Sequence, residues 1–215
     1  MNRKPAELVI WDWNGTLVND AGASFESVND MLECRGLPLI TFEQYSSYIE
    51  TPIIGFYRHI FDDLDSMDFS QISREFHEGV ARHMTGRGLM PGAKEALEAI
   101  RAAGVRQTIV SSCENGMLHR QVTDYDIAQF FDALLGAGDF QAGSKIDRAV
   151  AYMAKCGIAP EQTVVVGDML HDAEVAQAIG ARCILIAKGH QTRADLESAG
   201  VDILDDISQV IGMVL

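Results

Sequence analysis

The stretch Leu8-Val9-Ile10-Trp11-Asp12-Trp13-Asn14-Gly15-Thr16-Leu17 begins with four apolar residues and continues directly into a carboxylate. A short apolar run bounded by polar and turn-forming residues is typical of a buried β-strand. In parallel α/β sheets, ligands bind outside the carboxyl ends of the strands. The stretch therefore predicts a strand over residues 8–11 and a functional position at Asp12.

Further apolar runs of the same kind recur along the chain, and segments of helical periodicity lie between them from Pro91 onwards. These runs cover residues 108–110, 133–135, 163–166, 183–186 and 201–204. Alternation of strand and helix indicates right-handed βαβ units that share one parallel sheet. The predicted fold class is therefore α/β.

Residues 19–88 interrupt this alternation. They contain helical periods, such as Phe25, Val28 and Met31, but no convincing strand. An insertion of roughly 70 residues between the first two strands is too long for a plain crossover connection. We expect a core domain over 1–18 and 89–215, and a helical cap domain over 19–88.

The overall charge excludes some classes of partner. The chain has 215 residues, with 17 Lys and Arg against 31 Asp and Glu, for a formal charge of −14. This balance argues against nucleic acid and against anionic membrane surfaces, which are bound by clustered basic residues. No apolar run approaches the ~18 residues of a membrane span. Four scattered cysteines predict reduced thiols and a cytoplasmic protein; the oligomeric state is not predicted.

Carboxylates recur at the predicted strand ends. Asp12 follows the first strand, Asp168 follows the strand at 163–166 after a glycine, and Asp172 comes one helical turn later. Like charges gathered at one sheet edge repel each other unless a cation or a bonded donor compensates them. Hard oxygen ligands without a His or Cys cluster favour Mg²⁺ over Zn²⁺.

Two other polar residues belong to the same pattern. Ser111 follows the strand at 108–110, and Lys145 opens a predicted helix. Each of these features is weak alone, because an Asp or Ser after a strand is more often a turn former or a helix cap. Lysine is usually a solvated surface residue. Their combination in this order is much less often accidental.

Four segments together resemble the motifs of the haloacid dehalogenase (HAD) superfamily. They are Asp12-Trp13-Asn14-Gly15-Thr16-Leu17 for the usual D-x-D-G-T-L, then Ser111, then Lys145, and finally Gly167-Asp168-Met169-Leu170-His171-Asp172 for G-D-x-x-x-D. The likeness spans essentially the whole chain. It implies a Rossmann-like parallel sheet with an inserted all-helical C1 cap, as in phosphoglycolate-phosphatase-like members.

The resemblance also implies an activity, namely hydrolysis of a small-molecule phosphate ester through an aspartyl-phosphate. Asp12 would be the nucleophile, and Ser111 and Lys145 would be catalytic with it. Mg²⁺ would be held by Asp12, the backbone carbonyl of Asn14, Asp168 and Asp172. Further substrate contacts are expected from Gly15, Thr16, Ser112 and, in the cap, Arg58. For Arg58 the alternative is that it faces water while Ile54, Tyr57 and Phe61 form the apolar face of their helix.

Asn14 departs from the family pattern, which usually has a second Asp at this position. That Asp protonates the leaving group and later activates water. An amide cannot release a proton near neutral pH, and the loss of a general acid–base typically costs about 10²–10⁴-fold in rate. Asn14→Asp is therefore expected to raise hydrolysis of alkyl phosphates more than that of aryl phosphates.

Three functions stay open from the sequence. The first is a slow or selective phosphatase, in which the leaving group is acidic or another group such as His171 or Asp20 replaces the missing acid. The second is a phosphoryl-binding protein with little hydrolysis. The third is a haloacid dehalogenase, which needs no proton donor. The acidic pair Asp168 and Asp172 and the lysine favour phosphate chemistry.

Overall fold

A computed structural model describes residues 5–138 and 144–215 of the chain. Its centre is a six-stranded sheet in which every pairing is parallel, with the strand order β3-β2-β1-β4-β5-β6. The strands are β1 Leu8–Trp11, β2 Arg106–Glu114, β3 Ala133–Ala137, β4 Thr163–Gly167, β5 Arg182–Ile186 and β6 Asp202–Leu204. The sheet confirms the predicted α/β class.

Ten α-helices belong to the described residues. They are α1 Ala21–Glu33, α2 Phe42–Tyr48, α3 Ile54–Ile60, α4 Phe69–His83, α5 Ala93–Ala102, α6 Asn115–Asp124, α7 Lys145–Cys156, α8 Leu170–Ile179, α9 Arg193–Leu196 and α10 Val210–Val214. Within the described parts of the chain, none of these helices combines the length and the apolarity that a membrane crossing needs.

Strand β1 explains why the core has two layers of helices. Alternate residues of a strand point to opposite faces of its sheet. Val9 and Trp11 lie in one apolar cluster together with residues of α5, α6 and α10. Leu8 and Ile10 lie in a second cluster with residues of α7 and α8. Because both faces are covered, β1 is buried along its whole length.

Helices α1 to α4 lie between β1 and β2 in the chain and have an apolar cluster of their own. Helix α1 crosses α4 closely at Gly79, where an added Cβ would come within 2.1 Å of Ser27 Oγ. The hydroxyl of Ser27 donates a hydrogen bond to the carbonyl of Phe76 at 2.8 Å. A glycine at this crossing therefore lets the two longest helices of the block approach each other.

The chain leaves and re-enters the sheet layer at one point. The amide of Asn19 donates to the carbonyl of Gly88 at 2.9 Å, and the amide of Met90 donates to the carbonyl of Leu17 at 2.8 Å. Two adjacent connections are hydrogen-bonded to each other here. We propose this double connection as the boundary between a core domain and a helical cap over residues 19–88.

Candidate active site

Three carboxylates meet at the carboxyl edge of the sheet. Asp12 follows β1, Asp168 follows β4, and Asp172 stands in the first turn of α8. Strands β1 and β4 are neighbours with Trp11 opposite Val166, so the residues that follow them emerge side by side. One oxygen from each carboxylate lies within 4.8 Å of the others. All three side chains are buried.

Lys145 is the cation of this cluster. Its Nζ lies 2.7 Å from Asp12 Oδ1 and 2.6 Å from Asp172 Oδ1, with only 5% of the side chain exposed. Burial lowers the pKa of Lys145, but Asp12 and Asp172 outweigh that effect and hold it well above its usual range. One buried ammonium thus stands against three carboxylates, which leaves an excess of negative charge.

Two of the carboxyl groups, those of Asp168 and Asp12, have raised pKa values. Burial raises the pKa of Asp168 to about 7; the nearby His190 opposes this shift, and repulsion from Asp12 and Asp172 adds to it. Burial also raises the pKa of Asp12, although Lys145 opposes the shift. A bound divalent cation would relieve both groups, and carboxylate oxygens are ligands that hard divalent cations prefer. The cluster is therefore suited to hold a metal ion.

Asp168 is held from several sides. Its Oδ1 accepts a hydrogen bond from the Thr16 hydroxyl at 2.8 Å, and its Oδ2 accepts one from the His190 amide at 2.7 Å. An added Cβ at Gly15 or at Gly189 would come within 2.2 or 2.1 Å of Asp168 Oδ2. Glycine is needed at both positions because the backbone approaches this carboxylate so closely.

Asp172 is oriented by backbone groups. Its Oδ2 accepts hydrogen bonds from the amides of Asp168 at 3.1 Å and Met169 at 3.0 Å. Its Oδ1 accepts from Lys145. The loop between β4 and α8 is thereby tied to the carboxylate that begins the helix, and the spacing of four residues between Asp168 and Asp172 follows from this turn.

Ser111 lies inside a strand rather than at its end. We expected β2 to stop before Ser111, but it continues to Glu114, with a register shift against β3 beyond Val110. The hydroxyl of Ser111 accepts a hydrogen bond from the Cys113 amide at 3.1 Å. Glu114, not Ser111, caps the next helix. Ser112, also predicted to contact substrate, is exposed.

Asn14 is bonded to a fourth carboxylate. Its Nδ2 donates to Asp20 Oδ2 at 2.5 Å, and the Gly15 amide donates to Asp20 Oδ1 at 2.7 Å. Burial alone would raise the pKa of Asp20, but the nearby His190 and the hydrogen bonds from Asn14 and Gly15 outweigh it and lower that pKa. Asp20 is therefore an ionised group next to position 14. His171, the other replacement considered for the missing acid, is bonded to Glu174 instead.

The cap residue expected to contact substrate points elsewhere. Arg58 has 64% of its side chain exposed and lies 3.7 Å from Asp65, whose side chain is 94% exposed. Tyr57 and Phe61, on the other side of α3, are buried in the cap cluster. Arg58 is thus directed to solvent and not to the buried carboxylates, as the alternative interpretation of this helix predicted.

A different cap residue reaches the site. The Tyr45 hydroxyl of α2 shares a 2.9 Å hydrogen bond with His190 Nδ1, and His190 Nε2 lies 3.6 Å from Asp20 Oδ1. Burial lowers the pKa of His190, but Tyr45, Asp20 and Asp168 hold it well above its usual value. Our sequence interpretation missed His190, because it lies in the loop after β5, four residues beyond Ile186, and does not directly follow the strand as Asp12 does.

Helix α2 is bound to the same loop by further contacts. The hydroxyl of Ser46 donates to Asp195 Oδ2 at 2.7 Å and accepts from the Thr192 amide at 2.8 Å. Gln191 Nε2 donates to the carbonyl of Ile49 at 3.3 Å. The helical block is therefore closed over the carboxyl edge of the core through residues 190–195.

Many solved structures share the fold of the whole chain. A predicted phosphoglycolate phosphatase from Haemophilus somnus has a TM-score of 0.76 at 20% identity, with 98% of each chain covered. CbbY from Rhodobacter sphaeroides, in complex with phosphate, has a TM-score of 0.75 at 21% identity, with 95% of this chain and 96% of that one covered.

Sequence comparison extends the likeness to curated proteins. The tyrosine-protein kinase PtkA of Mycobacterium tuberculosis is 26% identical over 96% of this chain and 73% of its own. A phosphoglycolate phosphatase of Pseudomonas syringae pv. tomato is 24% identical over 97% of this chain and 79% of its own. The family model for haloacid dehalogenase-like hydrolases matches residues 9–186, and the chain belongs to this family of hydrolases.

Proposed function

We propose that the protein is a Mg²⁺-dependent phosphatase that hydrolyses a small phosphorylated metabolite through an aspartyl-phosphate formed on Asp12. One observation carries this proposal: Asp12 is buried at the end of β1 between Lys145 and two further carboxylates. An anionic nucleophile can approach an anionic phosphate only where nearby positive charge offsets their repulsion. Phosphoglycolate phosphatases among the relatives support the same activity.

The donor set suggests how the metal would be held. Oxygens of Asp12, Asp168 and Asp172 and the backbone carbonyl of Asn14 would bind Mg²⁺, which would offset the charge of the phosphoryl group during the reaction. Lys145 supplies the second positive charge and orients Asp12 through its 2.7 Å contact. Ser111, Ser112 and the Gly15 backbone are the proposed phosphoryl contacts.

Thr16 has a different part in this proposal from the one expected from the sequence. Its hydroxyl is engaged with Asp168 Oδ1 and is fully buried. A hydroxyl held in this way orients a metal ligand and reaches the substrate only through it. Such supporting partners typically change metal affinity or activity by about 10–100-fold when they are removed.

The reaction would take two displacements. In the first, an Asp12 carboxylate oxygen bonds to phosphorus while the bond from phosphorus to the leaving oxygen breaks, and that oxygen leaves with the electron pair. In the second, water attacks the phosphorus, the bond to the Asp12 oxygen breaks, and inorganic phosphate leaves. Dividing one difficult step into two is ordinary nucleophilic catalysis.

Asn14 limits which leaving groups this site can expel. An alkoxide needs a proton as it leaves, and an amide has none to give near neutral pH. An aryl, enol or acyl leaving group is stable as an anion and needs little protonation. We therefore propose a preference for phosphate monoesters and anhydrides with acidic leaving groups.

The leaving-group preference predicts a large difference in rate. With Mg²⁺ present, kcat/KM for p-nitrophenyl phosphate should exceed kcat/KM for glycerol 2-phosphate by roughly 10²-fold or more, because kcat/KM reports the first displacement and only the alkyl ester requires a general acid there. Phosphate release with both esters, each with Mg²⁺ and with EDTA, measures this. Intact mass of each sample checks that residue 14 is still asparagine, since Asn-Gly sequences deamidate readily.

Other results of that assay would favour the other two functions. Equal kcat/KM values for the two esters would contradict the missing-acid account. Tight Mg²⁺-dependent phosphate binding without turnover would favour a phosphoryl-binding or phospho-accepting protein. Asn14 supports this role because an amide cannot act as the general acid or base of hydrolysis. Halide release from 2-haloacids in EDTA would favour a dehalogenase.

Stabilisation by Mg²⁺ should depend on pH. Since the pKa of Asp168 is raised to about 7, this group holds a proton in the metal-free fold below pH 7 and loses it as pH rises. The metal must displace that proton, so its apparent affinity should fall by roughly tenfold per pH unit below 7. Thermal unfolding during Mg²⁺ titrations at pH 6 and pH 8 measures this. The proposed site would be contradicted if Mg²⁺ raised Tm with the same apparent affinity at both pH values. It would also be contradicted if the rise in Tm were unchanged in Asp168→Asn.

A further inference from the structure

The side chains of Asn14 and Asp20 form a partly buried pair in which donor and acceptor are defined. Their contact joins Asn14 Nδ2 to Asp20 Oδ2 at 2.5 Å, and Asp20 is 3% exposed. The two ends of an asparagine amide are hard to tell apart by shape, so the partner decides which atom faces it. In the structure Asn14 Nδ2 donates to Asp20 Oδ2, while Asp20 Oδ1 accepts from the Gly15 amide. The atom of Asn14 that faces Asp20 is therefore the nitrogen.

Asp20 has donors on more than one side. The Gly15 amide donates to its Oδ1 at 2.7 Å, so both oxygens are engaged by the turn that contains Asn14. His190 Nε2 lies 3.6 Å from the same Oδ1, and His190 is itself bonded to Tyr45 of the cap. Asp20 is thus held from the core and, through His190, from α2.

We propose that Asp20 is a positioning residue that fixes the amide of Asn14, with its nitrogen bound to Asp20 and its oxygen left to accept a hydrogen bond from a substrate hydroxyl or a water. Asn14 and Asp20 then work as one unit. The pairing stands on contacts alone, whereas its consequence for the reaction rests on the proposed function.

This pairing changes what is expected of Asn14→Asp. The substitution would place two carboxylates where the structure has a 2.5 Å donor–acceptor contact. Asp20 would then face a like charge, with the Gly15 amide and the more distant His190 as its remaining partners. The single variant, expected from sequence to gain activity, is therefore expected to lose stability and to gain little.

Exchanging the two residues should restore the pair. In Asn14→Asp/Asp20→Asn, the new amide at 20 can donate its nitrogen to the carboxylate at 14 and accept from the Gly15 amide through its oxygen. Every hydrogen bond of the present pair then has a counterpart, with the polarity of one reversed. The net charge of the protein is unchanged by the exchange.

The test is a double-mutant cycle on the full chain, first by thermal unfolding in EDTA. We expect Tm to fall by roughly 5 °C or more in Asn14→Asp, because a buried like-charge contact is costly, and to fall in Asp20→Asn. The exchange variant should recover most of both losses, since residues in contact are not additive. Asp62→Asn, which removes an exposed carboxylate from the cap, is the control for charge and should leave Tm within about 1 °C.

The second measurement is the ratio of kcat/KM for glycerol 2-phosphate to kcat/KM for p-nitrophenyl phosphate with Mg²⁺. We expect the exchange variant to raise this ratio by at least about tenfold over the natural chain and over Asn14→Asp. For Asp20→Asn, kcat should fall while KM changes little, because the amide is no longer fixed. A merely structural contact would change Tm without changing the ratio.

Two results would overturn the proposal. One is additive losses of Tm in the exchange variant, since that would mean that the two side chains do not act as a pair. The other is an Asn14→Asp variant as stable and as active on the alkyl ester as the exchange variant. If the stability cycle couples but no variant hydrolyses either ester, the pairing holds and the phosphatase proposal fails.

Discussion

Replacing Asp12 by asparagine is expected to lower Mg²⁺-dependent hydrolysis of p-nitrophenyl phosphate by roughly 10⁴-fold or more, the order of loss seen when an enzyme loses its nucleophile. The amide at 12 has nearly the shape of the carboxylate but cannot form the aspartyl-phosphate. It also removes one ligand from the proposed metal site. Phosphate release under single-turnover conditions, with enzyme in excess, measures the loss.

The fold should survive this change. Asp12→Asn removes one of three crowded carboxylates and leaves Lys145 its 2.6 Å contact with Asp172. Burial already disfavours ionisation of Asp12, as its raised pKa indicates. We expect Tm in EDTA to stay within a few degrees of the natural chain. Activity within about tenfold of the natural chain would contradict the assignment of Asp12 as nucleophile.

Replacing Lys145 by methionine should have the largest effect on stability. The ammonium is the cation that contacts both Asp12 and Asp172, at 2.7 and 2.6 Å. Methionine fills similar space without charge and leaves these buried carboxylates uncompensated. Removing one partner of a buried ion pair costs about 3–5 kcal/mol, which for a chain of this length lowers Tm by roughly 10 °C. Thermal unfolding in EDTA measures this.

A matched control separates this effect from loss of a surface charge. Lys188→Met removes a lysine whose side chain is 56% exposed and lies 3.5 Å from Asp206. Exposed ion pairs contribute about 0–1 kcal/mol, so this variant should unfold within roughly 2 °C of the natural chain. Mg²⁺ should restore part of the Tm of Lys145→Met, since it supplies positive charge to the same carboxylates. Equal Tm values for the two variants would contradict the account.

The positions of the carboxylates could be predicted because each depends only on the residues next to it in the sequence. A short apolar run predicts a strand, and in a parallel sheet the residue after each strand emerges at the same edge. Asp12 and Asp168 follow from this rule, and Asp172 follows from one turn of helix. The α/β class depends on the same alternation and is confirmed by the sheet.

Contacts across the chain could not be predicted in this way. Tyr45 and His190 are separated by 145 residues, and no spacing in the sequence relates them. Their contact depends on how α2 packs against the loop after β5. The end of β2 was also misplaced, because the strand continues past Ser111 after a register shift. The apolar run ends before Ser111, whereas the pairing of β2 with β3 continues beyond it to Glu114.

Arg58 shows a different limit. Tyr57 and Phe61 are one helical turn apart and both are buried. Arg58 directly follows Tyr57, so it points away from that buried face and is exposed. Its positive charge suggested a contact with substrate, whereas the helical periodicity correctly predicted that it faces solvent. The acid next to Asn14 was visible in the sequence at Asp20, but only the structure shows it bonded to the amide.

The central claim is that Asp12 itself receives the phosphoryl group. Mixing the protein with Mg²⁺ and ³²P-labelled acetyl phosphate, quenching in acid within milliseconds to seconds, and mapping the label by peptide mass spectrometry tests this directly. We predict label on the peptide that contains Asp12, accumulating to a measurable fraction because Asn14 cannot activate water for its hydrolysis, and absent from Asp12→Asn. Phosphate release without any labelled Asp12, or label that persists in Asp12→Asn, would contradict the account.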